Sequence, residues 1–161
     1  MPGKYYAGVG SRATPLEVQA LMRRIARSLE KRGYILRSGR ARGADLAFES
    51  GTTYAQVFFA GHATDETRTL ARHYHPAPER LYGDALDLMA RNAYQVLGPQ
   101  LDEPSEFVVC WTPDGTEKVT SRATGGTGQA IRIAVDHGIP VFNLYNSDAV
   151  ARLKVHLDRK S

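Results

Sequence analysis

The chain of 161 residues is predicted to fold as an α/β, Rossmann-like three-layer sandwich, with a mainly parallel central sheet and helices on both faces. Two observations lead there. Short apolar runs of strand length alternate with stretches of helical periodicity from one end of the chain to the other. Glycine-bearing turns stand where strand runs stop and helical runs start, as they do at the carboxyl edge of a parallel sheet. A hydrophobic content of 42% and a charged content of 24% are those of an ordinary globular domain. With no internal repeat, low-complexity segment or linker, residues 1–161 read as one domain.

"KYYAGVG" (4–10) reads as the first strand. The following helix is expected to start with Thr14 as N-cap, Pro15 at the first helical position and Glu17 closing a capping box. Leu16, Ala20, Leu21, Ile25 and Leu29 recur at helical spacing as its core stripe, and Gly33 stops it. "YILRSG" (34–39) is a second strand, "GADLAFESG" a short helix ending at Gly51, and "AQVFFAG" a third strand. Residues 65–72 can hold a turn of helix before Pro76 and Pro78 interrupt, and "YGDALDLMARNAYQVLG" is a clear amphipathic helix. "EFVVCW" is a fourth strand, "GGTGQAIRIAVDHG" a loop feeding a helix, and "IPVFNLY" a fifth strand. The final helix, "SDAVARLKVHLDRK", has Ser147 or Asp148 near its cap and basic residues in its last turns.

Several function classes fall away. No apolar run approaches the roughly 18 residues of a membrane span. The start "MPGKYYAGVG" lacks the apolar stretch of a signal peptide, so a cytoplasmic location is expected. Cys110 is the only cysteine and sits in the apolar "FVVCW", which excludes an intrachain disulfide or thiolate zinc site and reads as core rather than nucleophile. His73 and His75 form the only close histidine pair, without a third ligand at metal spacing, so neither metal nor cofactor is expected. A net charge of +4 permits polyanion partners without requiring them.

Three loops carry the candidate chemistry. "GVGSRATP" sets Gly8, Gly10, Ser11 and Arg12 beside a helix N-terminus. "RSGRARGADLAFES" sets Ser38, Gly39, Arg40, Arg42 and Gly43 before a helix whose amides face the same crevice, with Asp45 in its first turn. Cations there are unfavourable to the helix dipole and ask for a compensating anion. "TGGTGQ" places Gly125, Gly126 and Gly128 with Thr124 and Thr127, bare amides and hydroxyls able to cradle a phosphate. No lysine follows the last glycine, so this is not a P-loop. Before it runs the polar "TPDGTEKVTSRA", with Lys118 and Arg122, readable either as a binding loop or as a disordered excursion.

Taken in order, these segments resemble the Rossmann-like SLOG superfamily and, within it, the DNA-processing protein A (DprA/Smf) family. "SGRARGADLAFE" is similar to that family's second-strand motif, which implies Ser38, Gly39, Arg42, Gly43 and Asp45 as anion-pocket residues. "HYHPAPERLYGDALDLMARNAYQV" is similar to its proline-containing turn and helix with an Arg-Asn pair, here Arg91 and Asn92. "FVVCW" and "GGTGQAIRIAVDHGIPVFNL" look like its later strand, glycine loop, helix and closing strand. The chain departs from the family in two ways. "GGTG" resembles the loop of the related LOG phosphoribohydrolases, yet the position of their catalytic glutamate holds Arg132, and a guanidinium would oppose stabilisation of an oxocarbenium-like centre. Proteins of the family often carry flanking modules, and the reading of this chain as the core alone sets the expectation of a single-task binder of a phage or of a signalling or defence system. The superfamily's pairing through helices implies a homodimer.

Three readings follow. The leading one is binding of a nucleotide or nucleotide-derived ligand, ADP-ribose-like, with the three loops around its phosphates and Asp45 or Arg91 at the sugar. The second is single-stranded DNA binding, in which the same pockets take backbone phosphates and Tyr5, Tyr6, Tyr82 or Trp111 stack on bases. The third is a nucleotide N-glycosidase or deoxyribosyltransferase-like enzyme using Glu49, Glu79, Asp84 or Asp87.

Overall fold

The computed structural model of the protein describes residues 4–159. Five strands, β1 (Lys4–Gly8), β2 (Tyr34–Ser38), β3 (Ala55–Val57), β4 (Val108–Cys110) and β5 (Val141–Asn143), form one sheet in the order β3-β2-β1-β4-β5, and every neighbouring pair is parallel. Parallel neighbours need crossovers, and helices supply them. These are α1 (Leu16–Lys31), α2 (Ala44–Glu49), α3 (Asp65–Tyr74), α4 (Gly83–Leu97), α5 (Gly128–Asp136) and α6 (Ala149–Arg159). The chain winds outward from β1 to β3, then returns across the sheet to place β4 on the other side of β1. That reversal makes the carboxyl ends of β1 and β4 the topological switch point, where open α/β sheets bind ligands.

Successive strand residues pack on opposite faces, as pleating dictates. Tyr6, Leu36 and Val109 join α1, α2 and α6 in one apolar cluster, built on Met22, Leu29, Phe48, Leu153 and Leu157. Ala7, Val108 and Cys110 join α4 and α5 in a second, with Val96, Ile131 and Ile133. The result is a Rossmann-like three-layer α/β fold. Among the described residues no helix is long and apolar enough to cross a membrane.

The helix expected over 65–72 runs from Asp65 to Tyr74, and Thr64 and Thr67 close a reciprocal cap at its start. At α1 the expected cap is shifted by one residue. Pro15 takes the N-cap position, and the Thr14 hydroxyl donates to the Ser11 carbonyl (2.6 Å) instead of capping the helix. Leu16 is 79% exposed and Ala20 is exposed too, so the core stripe of α1 is Met22, Ile25, Ala26 and Leu29. The strand runs are longer in sequence than in space: β3 keeps three residues, and Ala60–His62 turns into a 3-10 helix. The tail helix is described to Arg159, leaving Lys160 outside the described residues.

The polar segment 112–124 is an ordered loop rather than an excursion. The Asp114 carboxylate accepts from the hydroxyls of Thr112 (2.8 Å) and Thr124 (2.5 Å), and these bonds hold its pKa below the usual range despite partial desolvation. Glu117 receives both terminal nitrogens of Arg152 (3.0 and 2.6 Å) and the Asn143 amide N–H (2.9 Å), tying the loop to β5 and α6.

Candidate functional site

A cavity of about 350 Å³ opens at the switch point. The turn after β1 contributes Val9, Gly10, Ser11 and Arg12, and the turn after β2 and the start of α2 contribute Ala41 and Asp45. One face of α4 supplies Leu88, Met89, Arg91, Asn92 and Gln95, and the turn before α5 supplies Thr124, Gly125, Gly126 and Thr127. The three glycine-bearing loops, separate in sequence, therefore meet around one space.

The tightest part is the junction of the β2–α2 turn with α4. Asp45 is buried, and its Oδ2 accepts the backbone N–H groups of Gly39 (3.0 Å) and Ala41 (3.3 Å). Burial raises its pKa to about 6, against the lowering effect of the Arg91 guanidinium and those two N–H groups. Asp45 is the only carboxylate lining the cavity among the described residues. Arg91 lies across Gly39 and donates from Nη1 to the Gly39 carbonyl (3.2 Å). A Cβ at residue 39 would collide with the Arg91 side chain, so the glycine is what lets the guanidinium settle there. Burial lowers the pKa of Arg91, Asp45 raises it, and Arg12 lowers it further. The arginine stays charged, and its Nε is buried without a hydrogen-bond partner among the described residues.

Gly43 has φ of +82°, and a Cβ there would stand 2.8 Å from the Ser11 carbonyl oxygen, so this turn and the β1 turn pack backbone to backbone. Not every residue singled out from the sequence faces the cavity. Gly8 is packed beneath Phe48 and Leu36 in the core. Ser38 is buried, with its hydroxyl donating to Glu49 (2.7 Å), and Arg42 is exposed on the loop. Gly128 opens α5 against the Arg132 side chain. Arg40, in a left-handed conformation at φ of +58°, turns away to pair with Glu49 (3.2 Å).

Arg132 is spent on structure, donating to the Thr120 hydroxyl (2.8 Å) and the Gln129 side-chain oxygen (2.9 Å). Glu49, Glu79, Asp84 and Asp87 do not line the cavity, and Asp87 is paired with Arg68 (2.8 Å). Of the aromatic candidates, Tyr6 is buried, stacked on Phe107, while Tyr82 is 73% exposed. No group of three or more His, Cys, Asp or Glu side chains among the described residues is placed to hold a metal ion.

The α4 wall was not legible beforehand beyond Arg91 and Asn92. Leu88, Met89 and Gln95 sit in a run whose periodicity reads as core, and the only sequence signal was a glutamine inside the apolar "AYQVL".

Fold and site together define an α/β protein with a Rossmann-like sheet and a ligand-sized cavity at its switch point. No protein-family model matches the chain, and no curated protein does. Among solved structures it is similar to DNA processing protein A from Helicobacter pylori, a protein described for its single-stranded DNA binding mode. The two share 15% identity at a TM-score of 0.56 over 88% of this chain, which spans 65% of that chain. At that identity the likeness is one of fold.

Proposed function

We propose that the protein binds a nucleotide or nucleotide-derived phosphate ligand, ADP-ribose-like in character, in the cavity at the switch point. The observation that carries this is the convergence of Ser11 and Arg12, Arg91, and the Gly125–Gly126–Thr127 turn on one space of about 350 Å³. That volume lies within the range of small-molecule sites, and glycine-rich turns at helix N-termini with nearby guanidinium groups are suited to phosphate oxygens. Asp45, at the same wall, offers an acceptor for a sugar hydroxyl.

Gly126 supplies the test. A Cβ there meets only the flexible end of Met89, another residue of the cavity lining, at 3.3 Å. Gly126→Leu should fold as the parent does and lose the thermal stabilisation that AMP, ADP-ribose or NAD confers on it. Undiminished stabilisation would remove the ligand from this cavity.

A second reading is single-stranded DNA binding, with the cavity holding one phosphate or nucleotide of the strand. Two observations favour it: the fold likeness to a protein described as binding single-stranded DNA, and the exposed Arg12, Arg40, Arg42, Lys118 and Arg122 on the loops after β1, β2 and β4. It predicts oligo-dT affinity that falls steeply as salt rises, because each neutralised phosphate releases counterions. Affinity for a mononucleotide that ignores salt, with none for oligo-dT, would exclude it.

A further inference from the structure

We infer that Gln95 reads the nucleobase, so that the Gln95 end of the α4 wall is the base end of the cavity, while Arg91 and the glycine loops form its phosphate end; this rests on the nucleotide reading above. Gln95 is 0% exposed, lines the cavity, and has both its side-chain oxygen and its side-chain nitrogen buried without a hydrogen-bond partner among the described residues. The neighbouring Ser105 hydroxyl bonds to the backbone carbonyl of Gln95 and leaves the amide alone.

Gln129 is the internal control. It is equally buried, yet its amide donates to the Ala71 carbonyl (2.9 Å) and accepts from Arg132 (2.9 Å), so this fold satisfies a buried glutamine where the role is structural. An amide left unpaired on both sides forfeits the hydration of donor and acceptor alike, and packing alone gives no return for it. A ligand that brings one donor beside one acceptor would satisfy both groups at once. Phosphate and ribose carry no such edge, and a nucleobase does. A glutamine paired bidentately with adenine is one such match.

The layout of α4 agrees. Leu88, Arg91, Asn92 and Gln95 lie on one helical face, and Gln95 sits one turn beyond Arg91, about 6 Å along the axis. The cation and the open amide are thus separated along the cavity, as the charged and uncharged ends of a nucleotide are. Val9, Leu88 and Met89 supply apolar surface for the faces of a ring, with the adaptable thioether of Met89 among them.

The experiment compares affinities for AMP, GMP, CMP, UMP and ribose 5-phosphate by calorimetry on the parent protein and on Gln95→Leu. The parent should bind its best nucleotide at least tenfold more tightly than ribose 5-phosphate. Gln95→Leu should lose at least tenfold for that nucleotide, bind ribose 5-phosphate unchanged, and unfold at the same or a higher temperature, since leucine removes an unpaired amide. Equal affinity of the parent for ribose 5-phosphate and the best nucleotide would overturn the base assignment while leaving a phosphate site intact, and that result needs no variant. A Gln95→Leu protein that keeps the parent's affinity, or that loses stability and ribose 5-phosphate binding together, overturns it too. A parent that binds none of the five defeats the nucleotide reading and this assignment with it.

Discussion

Two arginines withdrawn from water, Arg37 and Arg91, sit in regions of opposite character. Arg37 is 0% exposed on β2 and nearly saturated. Its Nε donates to Gln56 (2.9 Å), Nη1 to the Glu103 carbonyl (2.6 Å) and the Ser105 hydroxyl (3.1 Å), and Nη2 to the Glu103 carboxylate (3.1 Å). Its guanidinium also lies 4.2 Å from the centre of the Tyr5 ring. Arg91 has one bond, to the Gly39 carbonyl, and an orphaned Nε beside an open cavity. Burial lowers the pKa of both. The fold pairs nearly every donor of the cation that pins the α4–β4 connection and only one of the cation at the switch point. Gln129 and Gln95 repeat the contrast among the amides. Within each pair, the member with unmet hydrogen-bonding capacity is the one that lines the cavity.

The comparison breaks first at Arg37. Arg37→Met orphans the Ser105 and Glu103 acceptors and should cost about 3 kcal/mol, lowering the unfolding temperature by roughly 6 to 12 °C without changing nucleotide affinity. A variant as stable as the parent would deny Arg37 its structural role.

Next in size is the pH response of Asp45, whose folded pKa of about 6 lies above its ordinary value of 3.8. The folded state holds that proton more tightly than the unfolded chain, so Asp45 contributes stability below pH 4 that is lost as pH rises through 6, about 3 kcal/mol in all. Asp114 and Glu30, whose pKa values are lowered, act in the opposite sense. The clean measure is therefore the difference between the parent and Asp45→Asn, which keeps an oxygen acceptor for the Gly39 and Ala41 amides. The stability advantage of the parent over this variant should decline between pH 4 and 7 in denaturant titrations. A constant difference would place the carboxylate in a wetter setting than the structure gives it.

The smallest expected free-energy change sharpens the comparison most. Arg91→Ala should weaken nucleotide binding at least tenfold, about 1.4 kcal/mol or more, while costing less stability than Arg37→Met. If it destabilised as much as Arg37→Met and left affinity untouched, the two arginines would be of one kind.

The sequence by itself determined the α/β class, the alternation of elements and the three loops that meet at the sheet's carboxyl edge. Strand and helix periods and glycine turns are local signals, and local physics writes them into consecutive residues. It also marked Arg91, Asn92 and Asp45, through motif resemblance. What it left unreadable depends on contacts between distant segments. Leu16 fits the apolar stripe of α1 by spacing, yet stands in water at the first position of the helix, while Ile25 and Leu29 of the same stripe are buried. Arg40 and Arg42 read alike, and only the left-handed turn at Arg40 and its ion pair with Glu49 send that side chain away from the cavity. Segment 112–124 reads as loose until Asn143 and Arg152 bind Glu117. Gln95 looks like a core position in an apolar run, and only tertiary packing decided that it would be buried without partners against a cavity. Hydrogen-bond satisfaction is a property of the assembled surroundings, so no stretch of sequence, however regular, can display it.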